Sequence, residues 1–309
     1  MHADPINPHA SAGKLAAPPV SPGLSLERMA HIALADAVTA LCREVGRDQL
    51  AAFRGAVADR GTCKPDGSLR SALDLASEQR LRTGLARLLP EAGFVGEETG
   101  AAGAADPVWV VDPLDGTTNF LSGLAPFAVS VALVRGAVAE LGVIHAPPTG
   151  ECFTAVRGAG AWRNGRPLPR AVPRPLAEAV VCVGLPVRCT GPARAALLTR
   201  LDGIWAGARD VRCLGCAAME LAYVAAGDVQ GFWEAGLGPW DGAAASVLLA
   251  ETGCRIADGD GAPYAPLRSR GLLAGVPGVF EALAEIVAGI CADAPRPAAG
   301  ALFMHGSGR

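Results

Sequence analysis

Four acidic stations stand out along the chain: Asp74, Glu97 with Glu98 beside it, the pair Asp112 and Asp115, and Asp241. The pair lies in Trp109-Val-Val-Asp112-Pro-Leu-Asp115-Gly-Thr117-Thr-Asn-Phe120. Carboxylates gathered at one turn repel one another unless a cation or a proton intervenes. Oxygen-only donors in this number suit Mg²⁺ or a related hard cation, not zinc. Two such cations sharing a bridging carboxylate would supply what phosphate-ester cleavage needs, since they neutralise the ester, acidify an attacking water and stabilise the departing alkoxide. Each station also has a plainer reading. Asp and Gly favour turns on geometry alone, a carboxylate such as Asp74 caps a helix start, and a Glu pair is common as solvated surface. No single station decides the matter.

The elements that must position these groups can be read from pattern. Val108 to Val111 is apolar and β-branched and ends at Asp, Pro and Gly, which predicts a buried strand running into a tight turn. Ligands of open α/β sheets usually bind at such strand ends. Residues 1–25 hold five prolines with little periodicity and read as a flexible tail. From Leu26 to about Ala58 the apolar spacing is helical. Lys64 to Asp74 reads as a polar turn into a second helix with Leu75, Leu81, Leu85 and Leu88, ended by Pro90. Phe94 to Gly100 reads as a short strand and acidic turn, and residues 100–105 as a loop.

Beyond Phe120, runs at Phe127–Val134 and Val138–His145 predict a hairpin about Arg135-Gly136, with His145 a structural residue at a strand end. Glu151–Val156 and Gly160–Arg163 continue the β pattern, and Asn164-Gly165 is a strong turn signal. The second half alternates: strand 179–184, helix 193–201, strand 210–211, helix 217–226, strand 232–234, a helix from Trp240 stopped by Gly253, strand 271–274 and a last helix 279–290. The end, 292–309, is rich in Pro, Gly and Ala and reads as a second flexible tail.

Composition narrows the class. The 309 residues are 50% hydrophobic and 18% charged, which suits a compact enzyme-like domain and excludes a disordered or fibrous chain. A net charge of −3 gives no basic footprint for nucleic acid or an acidic membrane surface. No apolar run reaches the ~18–20 residues that span a bilayer. Nine scattered cysteines and a proline-broken start without an apolar segment fit reduced thiols and a cytoplasmic protein.

Taken together, Glu97-Glu98, Asp112-Pro-Leu-Asp115-Gly-Thr117 and Trp240-Asp241 with Ala243-Ala244 resemble the signatures of the inositol monophosphatase family, in order and separation, over roughly residues 26–291. The resemblance implies a layered αβαβα sandwich, an α/β fold of the inositol monophosphatase and fructose-1,6-bisphosphatase type. It further implies a lithium-sensitive homodimer that hydrolyses small phosphate monoesters with two or three Mg²⁺ per site. By motif position, Glu97, Asp112 and the carbonyl of Leu114 would hold one metal, and Asp112, Asp115 and Asp241 a second. Thr117, with Asp74, would orient the attacking water. Gly116 and Thr117 would grip the phosphate through backbone N–H groups. Gly215-Cys216-Ala217 and Glu234 would line the organic part of the substrate, a small phosphorylated polyol.

Departures from the pattern bear on substrate choice. Ser68-Leu-Arg-Ser71 lacks the usual proline and carries Arg70, Cys216 replaces a hydroxyl residue, Gly242 stands where a larger side chain is common, and Ser246 interrupts an apolar patch. Cys213-x-x-Cys216 has no second pair or histidine at ligand spacing, so zinc or disulfide chemistry is disfavoured. An aspartyl-phosphate mechanism needs a nucleophilic Asp two residues before Asp115, where Pro113 stands. No Walker loop or nucleophile elbow occurs. By the same resemblance, Thr117-Thr-Asn119-Phe120 favours inositol 1-phosphate over histidinol phosphate; histidinol phosphate, a 3′-phosphonucleotide, a sugar bisphosphate and a non-catalytic regulatory role on the same fold are the alternatives.

Overall fold

The computed structural model describes residues 26–55, 61–64, 67–104, 106–185 and 190–288. Both proline-rich ends predicted as flexible tails lie outside them. In chain order the elements begin with α1 (Leu26–Gly55), β1 (Thr62–Cys63), β2 (Leu69–Arg70), α2 (Ala72–Leu88), β3 (Gly93–Gly96), β4 (Gly100–Ala102), β5 (Val108–Asp115) and α3 (Thr117–Leu121). They continue through β6 (Ala128–Arg135), β7 (Val138–Ala146), β8 (Glu151–Val156), β9 (Gly160–Arg163), β10 (Arg166–Pro167) and β11 (Val180–Val183). The remainder is α4 (Gly191–Gly207), β12 (Asp210–Arg212), α5 (Ala217–Ala226), β13 (Gly231–Ala235), α6 (Pro239–Thr252), β14 (Arg255–Ala257), β15 (Gly271–Gly275) and α7 (Val279–Ala288).

The layers are those expected of an αβαβα sandwich. Helices α1 and α2 cover one face of an eight-stranded sheet ordered β10-β9-β8-β7-β6-β5-β3-β4. Helices α5 and α6 fill the space between that sheet and a five-stranded one, ordered β12-β11-β13-β15-β14, whose far face carries α4 and α7. Each interlayer space has its own apolar core. Val38, Cys42, Val45, Leu81 and Leu85 meet Trp109, Val111 and Val131 on one side, and Ala-rich α5 and α6 pack between Val110, Phe153, Phe232 and Leu273 on the other. Small residues permit this closeness: a Cβ on Gly142 of β7 would stand 2.2 Å from the Ala244 carbonyl oxygen. Every residue of β5 is buried, as a strand covered on both faces must be.

Two expectations shift. Residues 100–102 are a strand, not part of a loop, because β4 folds back antiparallel on β3 although Gly-Ala-Ala has little intrinsic β preference. The buried strand β5 also runs past Val111 to Asp115, with one extra residue between Asp112 and Asp115 relative to Ser130 and Ala128 of β6. That bulge coincides with Pro113, which has no N–H to give the ladder. His145 is structural as expected; it is buried, with Nδ1 2.9 Å from the Glu151 carbonyl oxygen. No described helix is long and apolar enough to cross a membrane, and none of the described cysteines is in a disulfide.

Candidate active site

The bulge in β5 determines where the central carboxylates point. Asp112 Oδ1 accepts a 2.9 Å hydrogen bond from Leu114 N, which closes the turn around Pro113. Asp115 follows at the last strand position, and Gly116 then takes φ +87°, a left-handed conformation that glycine adopts without steric cost. A side chain there would meet the Pro126 carbonyl oxygen at 3.0 Å. Phe120, one turn into α3, packs edge-on against Phe127 at 5.2 Å between ring centroids and anchors the turn from behind.

From α6, Asp241 projects toward the same point. It occupies the first turn of that helix and accepts a 2.6 Å bond from Gly238 N. Ser130 Oγ on β6 donates to the Trp240 carbonyl at 3.2 Å and ties the helix start to the first sheet. Asp112, Asp115 and Asp241 each offer an oxygen within 4.8 Å of the other two. Burial, and after it the neighbouring Glu97, Asp115 and Asp241 carboxyls, push Asp112 well above the usual carboxylate range. Asp241 is raised in the same way by burial, Asp115 and Glu97. Asp115 is pushed up to about 6 by burial, against the opposing pull of the Cys216 thiol and the Ala218 N–H. Three crowded oxygen donors that resist joint ionisation fit a hard divalent cation such as Mg²⁺, which would relieve their repulsion.

Glu97 stands at the edge of this group, beside Asp112, but its Oε1 accepts a 2.8 Å bond from Lys64 Nζ. Lys64 also donates to Glu98 Oε1 at 2.6 Å, and Arg70 lies 3.6 Å from Glu98 Oε2. The Glu98 side chain is only 1% exposed, so the pair is not solvated surface. Burial drives the Lys64 ammonium pKa down, but the two glutamates more than offset this and raise it. Arg70, one of the departures, therefore faces Glu98.

Asp74 serves a cap and the site at once. Its Oδ2 accepts from Ser71 N at 2.8 Å and from Ser71 Oγ, completing a capping box at the start of α2. Its Oδ1 accepts from Thr117 Oγ1 at 2.9 Å. Thr117 Oγ1 is also 3.0 Å from the Leu114 carbonyl oxygen.

On the side of the second sheet, Cys216 begins α5 and is fully buried. Its thiol points inward, 3.1 Å from Asp115 Oδ2, to which Ala218 N also donates at 2.7 Å. The replaced hydroxyl is thus matched by a weaker donor to Asp115. Glu234, at the end of β13, is raised well above its ordinary range by burial and then by Asp241, Glu220 and Asp115. Its carboxyl fills the space beside Gly184, where a Cβ would stand 1.8 Å away. Gly242 has a local reason as well: a Cβ there would meet Leu272 at 2.6 Å and the Tyr264 hydroxyl at 2.8 Å.

Two supporting residues escape a motif-based reading. Glu78 on α2 accepts from Glu98 N at 2.8 Å and Thr99 N at 2.9 Å, fixing the turn that carries Glu97. Gln49 on α1 donates to the Pro113 carbonyl at 2.6 Å, at the bulge itself. A signal for both exists. Gln49 follows Val38, Cys42 and Val45, and Glu78 precedes Leu81 and Leu85, at helical spacing. A polar residue in an apolar stripe needs a buried partner.

The sequence model of the inositol monophosphatase family matches residues 28–291. An inositol-1-monophosphatase of Mesorhizobium japonicum is 39% identical over 235 residues, 75% of this chain and 88% of that protein. A Nus factor SuhB of Pasteurella multocida is 37% identical over 224 residues, 71% of this chain and 82% of that one. The crystal structure of the extragenic suppressor protein suhB from Bartonella henselae superposes with a TM-score of 0.77 at 32% identity, covering 82% of this chain and 98% of that one.

Proposed function

The chain belongs to the inositol monophosphatase family, and we propose that it is a Mg²⁺-dependent phosphomonoesterase whose substrate is a small phosphorylated polyol, inositol 1-phosphate in the first instance. The observation that carries this reading is the convergence of Asp112, Asp115 and Asp241 oxygens within 4.8 Å of one another. On this reading Glu97, Asp112 and the Leu114 carbonyl would hold one Mg²⁺, and Asp112, Asp115 and Asp241 would hold a second. When bound, the metal ions supply charge neutralisation and an acidified water.

The chain's own groups do the rest. Thr117 Oγ1, giving its hydrogen to Asp74, keeps its lone pairs for the attacking water and orients it in line with the ester. The N–H groups of Gly116 and Thr117 hold phosphate oxygens at the turn. Gly215, the exposed residue of the Gly215-Cys216-Ala217 stretch, and Glu234 face the organic group, with Glu234 accepting a hydrogen bond from a substrate hydroxyl, while the Cys216 thiol turns away to Asp115. Pro113 stands where an aspartyl nucleophile would be needed, so phosphate passes directly to water.

The relatives named Nus factor SuhB favour a second reading, a role in regulating another macromolecule through the surface of the same fold. The complete carboxylate set favours hydrolysis. Phosphate release from inositol 1-phosphate, histidinol phosphate, 3′-phosphoadenosine 5′-phosphate and fructose 1,6-bisphosphate, with Mg²⁺ and with EDTA, tests both. Metal-dependent release with inositol 1-phosphate preferred is the expected result. No release from any ester by folded protein would overturn the enzymatic reading.

A further inference from the structure

The Leu214 peptide groups are held from two layers of the sandwich at once. From α3, directly after the turn that carries Thr117, Asn119 Nδ2 donates to the Leu214 carbonyl at 2.7 Å and to the Pro126 carbonyl at 2.8 Å. From α5, Glu220 Oε1 accepts from Leu214 N at 2.7 Å. The next residue, Gly215, has φ +73°, and a Cβ on it would stand 3.4 Å from the Asn119 amide. Gly116 in turn lies flush against this segment, since a Cβ on it would be 3.3 Å from both Gly215 O and Cys216 Cβ.

Glu220 is an unusual occupant of its helix. The rest of α5 is Ala, Met, Leu, Tyr and Val, yet this acid is only 1% exposed, and its Oε2 has no hydrogen-bond partner. Burying a carboxyl for a single hydrogen bond costs stability. What that bond does is fix Leu214. Cys213 and Gly215, on either side, are exposed. The clamped segment therefore forms an exposed wall directly beside the Gly116 turn.

We infer that Asn119 and Glu220 are positioning residues that together set the wall at 213–216 relative to the phosphate turn, and so determine which organic group the site accepts. The inference rests on the reading of this site as a phosphomonoesterase. It gives Asn119, in the stretch Thr117-Thr-Asn119-Phe120, a physical role in substrate choice.

The test compares kcat/KM for inositol 1-phosphate, whose hydroxyls the wall would face on this inference, with that for phenyl phosphate, whose organic group has none. Asn119→Ala and Glu220→Ala are each expected to lower the ratio of the two by about tenfold, through KM for the polyol ester. Glu220→Gln keeps the acceptor and should keep the ratio. The double alanine variant should lose little more than either single, because both residues hold Leu214. An unchanged ratio, or equal loss for both esters, would overturn the inference. A second readout needs no activity: iodoacetamide labelling of Cys213, followed by peptide mass spectrometry, should quicken several-fold in both alanine variants, and unchanged labelling would overturn the positioning role. Should the parent protein hydrolyse neither ester with Mg²⁺, the proposed function falls, while the labelling still decides whether the clamp exists.

Discussion

Thr117 Oγ1 lies 2.9 Å from Asp74 Oδ1 and 3.0 Å from the Leu114 carbonyl oxygen, yet a hydroxyl has one hydrogen to give. Engagement of the Leu114 carbonyl by a cation would leave Asp74 as the acceptor. Thr117→Val, which keeps the shape and removes the hydroxyl, is expected to lower kcat by about 10²–10⁴-fold, the usual worth of a positioned proton-transfer group. Thr117→Ser should retain most of the rate. Equal activity of the valine and serine variants would remove Thr117 from the water-orienting role. Thr117→Val also takes from the buried Asp74 Oδ1 its hydrogen-bond donor, so its circular dichroism melt should fall by a few degrees while that of Thr117→Ser stays near the parent's.

Asp112→Asn is expected to separate stability from turnover. In EDTA, Asp112 is a buried carboxyl pushed upward by burial and by three neighbouring carboxyls, so a neutral amide relieves repulsion and the variant melts no lower than the parent. Adding Mg²⁺ should raise the melting temperature of the parent, because a ligand that binds only the folded state stabilises it. The variant should respond weakly and hydrolyse almost nothing. Near-normal turnover in Asp112→Asn would end the two-metal assignment.

Lithium offers a third check. Li⁺ is a small hard cation and competes for oxygen donors of the kind gathered at Asp112, Asp115 and Asp241. Inhibition of phosphate release in the millimolar range is expected. The contacts of Lys64 and Arg70 with Glu97 and Glu98 make the exchange of cations here a property of this chain's own loop. Insensitivity to Li⁺, with Mg²⁺ dependence intact, would separate this site from the lithium-sensitive pattern that its motifs resemble.

Much of this arrangement is legible in the sequence because its signals are local. The Asp112-to-Gly116 turn, the Asn164-Gly165 turn and the Gly253 stop each depend on residues adjacent in the chain. The layered fold follows from the resemblance carried by three motifs. What sequence misses is decided across space. Strand β4 exists because β3 offers it a partner, and Cys216 turns to Asp115, distant in sequence, instead of to the substrate space. Glu98 reads as solvent-facing until Lys64 and Arg70 are seen to close over it. Gln49 and Glu78 were visible only as polar intrusions in apolar stripes, a pattern that says a partner exists without saying which.

The same distinction yields a pH dependence. Burial pushes the Glu220 carboxyl up to about 8, with Asp115 adding to the effect and the Leu214 N–H opposing it. In the unfolded chain this group loses its proton near the ordinary glutamate range. Between the two values the folded state holds the proton and the unfolded state does not, so stability declines as pH rises through this window. Glu220→Gln keeps an acceptor for Leu214 N and cannot ionise. Its melting temperature in EDTA should match the parent below about pH 4.5 and exceed it increasingly up to about pH 8. Beyond that the gap should stay constant. A gap that is independent of pH, or that grows toward acid, would show that Glu220 is ionised in the folded protein and that its bond to Leu214 is charge-assisted.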